Sequence, residues 1–449
     1  MAHAFHHNAA EVAPAYSPKE ATPHSWAVVL VASLFFFYEF IQMNVFNSIS
    51  TSLMNAFHID AAKLGDMSSF YFIANVVFLF IAGMLLDRLS TRRVILTSLA
   101  ICILGTALFS LAHSFAWACF FRFLTGIGSA FCFLSVIRLA SRWFPAKRMA
   151  LVTGLVVTMA MLGGWVSQTP MEMLAHAVHW RTALQIDAVA GIIFFLLIFA
   201  VVKDYPADQA EAHREEQAQI QEIGYFKSLH MAFFRLQNWF GGLYVCFMNL
   251  PVGLLGGLWG VLYLTHTHDM TKVNASEISS MLFIGTLVGA PIVGWISDKI
   301  QMRRPPMLVG AIISLALVLT VIYAQQLSFY EYMTLFFLIG LCTSTQIIGY
   351  PLVAENSKRV ITAMSVSVVN ISVQGGSALF QPFFGYLLDK HMFMRAHQIS
   401  SNFIASDFSW AMWIFPVGFL LAILIVFLLP ETRCKQRINL DLSLKKNHE

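Results

Sequence analysis

Long apolar stretches alternate with short polar segments along the whole chain. A helix needs about 20 predominantly apolar residues to cross a bilayer. Twelve such stretches occur, at approximately 26–50, 67–87, 93–112, 115–140, 149–172, 182–202, 238–265, 277–298, 306–325, 330–353, 361–386 and 409–430. Within them the apolar residues are continuous and do not alternate with polar ones, which favours helices over a β-barrel. The pattern predicts an all-α membrane protein with twelve transmembrane helices.

The polar segments divide these spans into two sets of six. Residues 204–237 form the longest internal polar stretch, which we interpret as a cytoplasmic linker with a short surface helix. It separates a predicted amino-terminal bundle, 25–203, from a carboxy-terminal bundle, 238–432. Polar tails, 1–24 and 433–449, flank the bundles. The other connections are too short to hold a globular catalytic domain, so we expect no enzyme.

The two halves carry the same motif 211 positions apart. The amino-terminal copy places Gly83, Asp87, Arg88, Arg92 and Arg93 at the end of the second span, and the other copy places Gly294, Asp298, Lys299, Arg303 and Arg304 at the end of the eighth. Glycine permits close helix approach, whereas a carboxylate at a helix C-terminus opposes the helix dipole and needs another partner. A duplicated half in a membrane protein predicts two facing bundles with a working site between them.

The composition is typical of a membrane protein. Hydrophobic residues make up 58% of the chain and charged residues 12%, against about a quarter charged in soluble domains. If the amino terminus is cytoplasmic, the outer loops hold only five basic residues, namely Lys63, Arg181, Lys272, Lys390 and Arg395. This asymmetry places both termini in the cytoplasm of a bacterial inner membrane. Because the basic residues are scattered over loops, a nucleic-acid partner is excluded.

The repeated motif resembles the signature loop of the major facilitator superfamily. The segments Arg122-Phe-Leu-Thr-Gly126-Ile-Gly128 and Trp143-Phe144-Pro145-x-x-Arg148 are also similar to family motifs. The resemblance implies two pseudo-symmetric six-helix bundles that give alternating access to a central cavity. It also implies a cytoplasmic latch that closes in the outward-open state. The implied gating residues are Gly83, Asp87, Arg88, Arg92, Gly294, Asp298 and Arg303. The similar Gly385-x-x-x-Asp389-Lys390 falls at the predicted outer face, and we regard it as an echo of the motif.

Charged side chains occur within the predicted spans. Glu39 lies in the middle of the first span, where a charge costs about 2.5–3.5 kcal/mol. Because a buried carboxyl can avoid this cost by binding a proton, Glu39 is a candidate proton relay. Arg122, in the fourth span, is its expected partner. Alternatively, Arg122 binds a substrate carboxylate while Glu39 takes an ammonium group. Glu172 and Asp187 are expected at the outer membrane interface.

Uncharged polar residues follow helical faces. In the eleventh span one helical face carries four polar residues, Asn370, Gln374, Ser377 and Gln381. In the seventh span Asn249 precedes a glycine-rich segment that contains Pro251 and could act as a hinge. We expect such faces to line a water-filled cavity. The predicted substrate-binding residues are Glu39, Gln42, Tyr71, Asn75, Arg122, Trp165, Gln168, Asn249, Trp259, Gln346, Tyr350, Asn370 and Gln374.

These features predict a secondary active importer of a small polar solute, driven by protons. An amino acid, a short peptide or an organic acid is the expected substrate class, because Glu39 and Arg122 offer both charge signs. The chain lacks a phosphate-binding loop for ATP, and we expect no cofactor, no metal site and a monomer. Two alternatives stay open: an exporter of drugs, siderophores or metabolites, and a sensor that binds a solute without moving it.

Overall fold

A computed structural model describes residues 22–145, 148–205, 230, 232–324, 327–357, 362–396 and 403–434. The side chains at positions 83, 84, 87, 88, 150, 363, 395 and 396 lie outside this description. So do most of the predicted linker and the two tails. Every secondary-structure element within the described ranges is helical.

The amino-terminal bundle contains the first six predicted spans, numbered α1 to α6. Their bounds are α1, Pro23–Asn44 and Phe46–Phe57; α2, Ala61–Arg88; α3, Thr91–Ser110; α4, Phe115–Ser129 and Cys132–Trp143; α5, Met149–Val166 and Thr169–Val178; and α6, Trp180–Val201. Side-chain oxygens of Thr22, Asp60, Ser90 and Ser114 accept hydrogen bonds from N–H groups of the first turns of α1 to α4. These caps fix where each helix begins.

The carboxy-terminal bundle repeats the arrangement. Its helices are α7, Leu236–Leu250, Pro251–Trp259 and Gly260–His268; α8, Lys272–Ile300; α9, Arg304–Tyr323; α10, Phe329–Thr343, Ser344–Ile348 and Gly349–Asn356; α11, Thr362–Ala396; and α12, Ala405–Ala411 and Ile414–Leu428. We call the face with the α2–α3 and α8–α9 loops inner, following the charge asymmetry, and the opposite face outer.

Eleven helical segments in the described ranges are long and apolar enough to cross a membrane. The predicted eleventh span, α11, forms a helix of 35 residues but is not among the eleven. Its face of amide and hydroxyl side chains lowers its hydropathy. The predicted all-α membrane fold is confirmed.

Six helices are interrupted within the described ranges, and four of these interruptions lie at matching places in the two bundles. Helix α1 is interrupted at Val45 and α4 at Ala130 and Phe131, whereas α7 contains a nine-residue π-helix and α10 a 3₁₀ turn. These are the first and fourth helices of each bundle. Wider or tighter turns leave backbone polar groups in need of other partners at membrane depth. Irregular backbone in the membrane is tolerated where it lines a cavity or contacts protein.

The bundles meet tightly at their outer ends. A Cβ atom at Gly65 of α2 would lie 2.5 Å from the Cα atom of Pro382 in α11. A Cβ at Gly164 of α5 would lie 2.4 Å from the ring of Phe283 in α8. Side chains larger than hydrogen therefore do not fit at these contacts, and the outer side is closed.

Candidate solute and proton site

Glu39 lies at the centre of the amino-terminal bundle. Its side chain is 3% exposed, and the hydroxyl of Tyr71 donates a hydrogen bond of 2.5 Å to its Oε1 atom. The Oε2 atom is buried and has no hydrogen-bond partner within the described part of the chain. A buried carboxylate oxygen without a partner is costly, and binding a proton removes much of that cost.

Arg122 is close to Glu39 but does not form an ion pair with it among the described residues. Its guanidinium donates to the carbonyl oxygens of Gln42, at 2.7 Å, and Met43, at 3.4 Å. It also lies over the rings of Phe46, at 4.1 Å, and Tyr71, at 4.6 Å. The predicted direct pair is therefore replaced by an indirect one, in which the Tyr71 side chain contacts both charges.

Gln42 joins a second buried acid to this site. Its amide nitrogen lies 2.5 Å from Oδ2 of Asp187, and the Thr106 hydroxyl donates to its amide oxygen at 2.8 Å. Asp187 is 5% exposed and Glu172 is 4% exposed. Both acids are covered by neighbouring helices, and their position at the outer membrane interface stays a prediction.

The carboxy-terminal bundle contributes uncharged polar groups. Tyr350 donates a 3.0 Å hydrogen bond to Asn370. Asn249, Gln346 and Gln374 are half-buried, and their amides make no hydrogen bond to other described residues. Amides in this state are available to water or to a solute.

The remaining predicted binding residues occupy different surroundings. Asn75 is buried and donates to the Ser129 hydroxyl at 2.7 Å, whereas Trp165 is 38% exposed. Trp259 is completely buried, with its ring stacked on Phe384 and its indole nitrogen donating to the Gln381 carbonyl. The structure therefore does not bring Trp259 to a cavity wall.

Gln168 belongs to the seam between the bundles. Its amide donates to the carbonyl of Gly256, within the π-helix, at 2.9 Å, and accepts from Asn47 at 2.6 Å. The amide oxygen of Asn47 in turn accepts from the N–H of Val261 at 3.0 Å. Two side chains of one bundle thus complete the backbone hydrogen bonding of the other, on the outer side of the interface.

Comparison with known proteins identifies the family. The family model of the Major Facilitator Superfamily matches residues 31–258 and 243–441. The chain belongs to the Major Facilitator Superfamily. It is accordingly a transporter and not an enzyme.

Solved structures share this architecture at low sequence identity. A bacterial homologue of the human lysosomal transporter Spinster, in an inward-facing and unoccupied conformation, has a TM-score of 0.71 at 17% identity and covers 92% of this chain and 98% of that chain. A D-xylose–proton symporter also has a TM-score of 0.71, at 14% identity, covering 92% and 99%. Both show the fold alone.

Three curated relatives are also similar. A hexuronate transporter of Bacillus subtilis is 23% identical over 250 residues, which are 55% of this chain and 58% of that protein. A probable hexose phosphate transport protein of Chlamydia muridarum is 24% identical over 66% of this chain and 70% of its own length. The human lysosomal dipeptide transporter is 26% identical over 64% of each. The chain thus matches little more than half the length of the hexuronate transporter.

The second signature loop of the superfamily forms a charge network at the inner face. Arg303 lies 2.7 Å from Asp298 and 2.6 Å from Glu355. Glu431, after α12, accepts hydrogen bonds from the backbone N–H groups of Arg303, at 2.9 Å, and Arg304, at 2.8 Å. Desolvation alone would lower the pKa of Arg303, but hydrogen bonds to Glu355 and Asp298 outweigh it and raise that pKa.

The first signature loop has a matching anchor. Asp204, after α6, accepts from the N–H of Arg92 at 2.9 Å, and the Arg92 side chain donates to the Phe199 carbonyl at 2.6 Å. Arg142 lies 3.6 Å from Asp204. The surroundings of Gly83 and the side chains of Asp87 and Arg88 lie outside the description, whereas a Cβ atom at the second-loop glycine, Gly294, would meet open space. Sequence reasoning missed Asp204, Glu355 and Glu431, whose only signal is an acid just beyond a span.

Proposed function

We propose that this chain imports a small polar solute by alternating access and couples that import to protons. The observation that carries the proposal is the environment of the Glu39 carboxyl group. The group is buried in the membrane with one oxygen held by Tyr71 and the other without a partner among the described residues. Intramembrane acids of this kind serve readily in proton pathways.

The proton would bind where the unpartnered Oε2 atom of Glu39 lies. When the outer side opens, the carboxyl takes a proton and becomes neutral, so the bundles can close again without burying a carboxylate charge at Glu39. When the inner side opens, the proton leaves to the cytoplasm. Tyr71 holds the carboxyl in place in both steps through its hydroxyl.

We further propose that the solute is a small organic anion or zwitterion. Arg122 supplies a permanent positive charge in the amino-terminal bundle, and Asn249, Gln346 and Gln374 supply hydrogen-bonding groups on the opposite bundle. The names of the curated relatives support this class, since a hexuronate, a hexose phosphate and a dipeptide all carry an anionic group. Organic acids, amino acids and short peptides are therefore the first compounds to test.

The gating proposal follows from the signature loops. The first loop would close the inner side in the outward-open state through Gly83, Asp87, Arg88 and Arg92. The second loop would act as its counterpart through Gly294, Asp298 and Arg303. The network around Arg303 supports this, because it fixes the second loop against its own bundle. We expect the protein to work as a monomer in a bacterial inner membrane.

Two linked measurements test the function. Purified protein is heated with hexuronates, hexose phosphates, amino acids and dipeptides, because a true ligand raises the melting temperature by mass action. Stabilising compounds are then tested for uptake into proteoliposomes with and without an inward proton gradient. Gradient-dependent accumulation is the expected result. Uptake at the same rate with and without the gradient would exclude obligate proton coupling.

Two alternatives have different outcomes in these assays. An exporter would lower the cellular content of its substrate on overexpression and show no uptake. A non-transporting sensor would be stabilised by a ligand yet move none of it. The sensor alternative is favoured by one relative, a membrane sensor protein of Salmonella typhimurium that is 24% identical over 282 residues.

A further inference from the structure

The first turn of α2 receives half of its hydrogen bonds from the opposite bundle. The N–H of Lys63 bonds to the side chain of Asp60, and the N–H of Leu64 bonds to the Asp60 carbonyl at 3.1 Å. The N–H groups of Ala61 and Ala62 bond instead to the carboxylate of Asp389, at 3.3 and 2.6 Å. Asp389 lies on α11, so this contact crosses the interface.

The backbones approach closely around this carboxylate. A Cβ atom at Gly385, one turn before Asp389, would lie 2.3 Å from the carbonyl oxygen of Ala61. The glycine therefore allows the carboxylate to reach the helix N-terminus. The Gly385-x-x-x-Asp389 sequence has the spacing of the two signature loops, but it lies at the opposite face of the membrane.

We propose that Gly385, Asp389 and the first turn of α2 form an outer clasp that holds the outward-closed state. Negative charge is favourable at a helix N-terminus, where several N–H groups lack intrahelical partners. Asp389 is therefore a positioning residue for the transport cycle, and it acts on the bundle arrangement without contacting the solute.

The clasp can open without leaving polar groups unsatisfied. It lies at the membrane surface, so the freed N–H groups of Ala61 and Ala62 and the freed carboxylate can all bond to water. The deeper seam contacts, from Asn47 and Gln168, involve buried amides. The inner latch proposed from the signature loops and this outer clasp would close in alternate states. The inference rests on the proposed alternating access, but its test requires no substrate.

Distances between spin labels in the full-length protein test the clasp. One pair, His113→Cys with Tyr330→Cys, reports the outer ends of the two bundles, because both positions are exposed. A second pair, Ser141→Cys with Ile300→Cys, reports the inner ends. Protein without the added cysteines provides the labelling blank.

Asp389→Ala should lengthen the outer distances and shorten the inner ones. The expected change is about tenfold in the ratio of outward-closed to outward-open molecules, the size of losing one helix cap. Asp389→Glu and Asp389→Asn, which keep an acceptor, should restore part of the outward-closed population. Gly385→Leu should act like Asp389→Ala by a separate route, since its side chain cannot fit.

Glu331→Ala is the matched control. Glu331 is also an outer-face carboxylate at a helix start, but its described bonds go to Ser328 of its own helix. It should leave both label pairs unchanged. Unchanged distances in Asp389→Ala and Gly385→Leu would overturn the clasp. A lower melting temperature with unchanged distances would assign Asp389 a purely structural role and would also overturn it. Absence of transport activity, by contrast, would count only against the proposed function.

Discussion

The hydroxyl of Tyr71 on α2 donates to the carboxyl of Glu39 on α1, and the same tyrosine ring faces the guanidinium of Arg122 on α4. An acid and a base are thereby kept apart by one aromatic side chain. The acid can change its protonation while the base keeps its contacts to the Gln42 and Met43 carbonyls. This arrangement would separate the proposed proton binding from the fixed positive charge.

Glu39→Gln should abolish accumulation driven by a proton gradient and leave solute exchange intact. Glutamine still accepts the hydrogen bond from Tyr71 but cannot gain or lose a proton at neutral pH. Uptake and counterflow in proteoliposomes measure the two activities separately. Glu331→Gln, at the outer surface, should behave as wild type in both assays. Full gradient-driven accumulation by Glu39→Gln would rule out its role as the proton site.

Asp87→Asn should increase the inward-open population by weakening the proposed inner latch. The expected sign is opposite to that of Asp389→Ala. Labelling of a cysteine at Ile300, at the inner end of α8, by a thiol reagent measures inner accessibility. The control variant Asp66→Asn, at the outer end of the same helix as Asp87, should leave the rate of labelling at position 300 unchanged. Labelling of Asp87→Asn at the wild-type rate would argue against the latch.

Arg303→Ala should lower the free energy of unfolding by about 3 kcal/mol, because it leaves Glu355 buried without its counter-charge. The Arg303 and Glu355 side chains are 7% and 15% exposed, so water replaces the lost partner poorly. Thermal unfolding in detergent measures the effect. Lys299→Ala removes an exposed cation that contacts only the Trp295 ring among described residues, and it should melt near the wild-type temperature. Equal melting of the two variants would show that the network is not stabilising.

Glu431→Gln should reduce the sensitivity of the protein to acid. Desolvation raises the pKa of Glu431, but backbone hydrogen bonds from Arg303, Arg304, Arg433 and Thr432 outweigh it, and the net pKa is lowered. A lowered folded-state pKa gives stability that is complete above the ordinary value of about 4.3 and is lost as the pH falls through the folded value.

The measurement is the melting temperature from pH 7 to pH 3. The glutamine variant should be less stable than wild type at pH 7, and the difference should shrink as the pH falls below about 4.3. Asp66→Asn provides a comparison at the opposite face. A difference that stays constant over this range would mean that the Glu431 charge contributes nothing.

Sequence patterns were sufficient for the fold and for part of the site. Twenty-residue apolar runs are a direct consequence of bilayer thickness, and Pro251 with its neighbouring glycines predicts a disturbed helix wherever it packs. Glu39 stands out because a charge in such a run is rare. These inferences depend on local composition alone.

Other features depended on which helices meet. Asp187 is placed near a helix end, and only packing shows that Gln42 and neighbouring helices cover it. Gln168 has the spacing of a cavity residue, yet the π-helix offers it the Gly256 carbonyl. Asp204 and Glu431 share a role but do not keep the 211-residue offset, because Arg92 and Asp204 are 112 positions apart whereas Arg303 and Glu431 are 128 apart.

The paired anchors at Asp204 and Glu431 have a mechanical consequence. Each fastens the start of the third helix of its bundle to the segment that follows the sixth, so these helices are tied together at the inner end of each bundle. A bundle tied in this way would keep its shape if the other bundle tilted away from it. In the proposed cycle, the free energy of solute and proton binding would then act on the contacts along the seam between the bundles, without loosening either half.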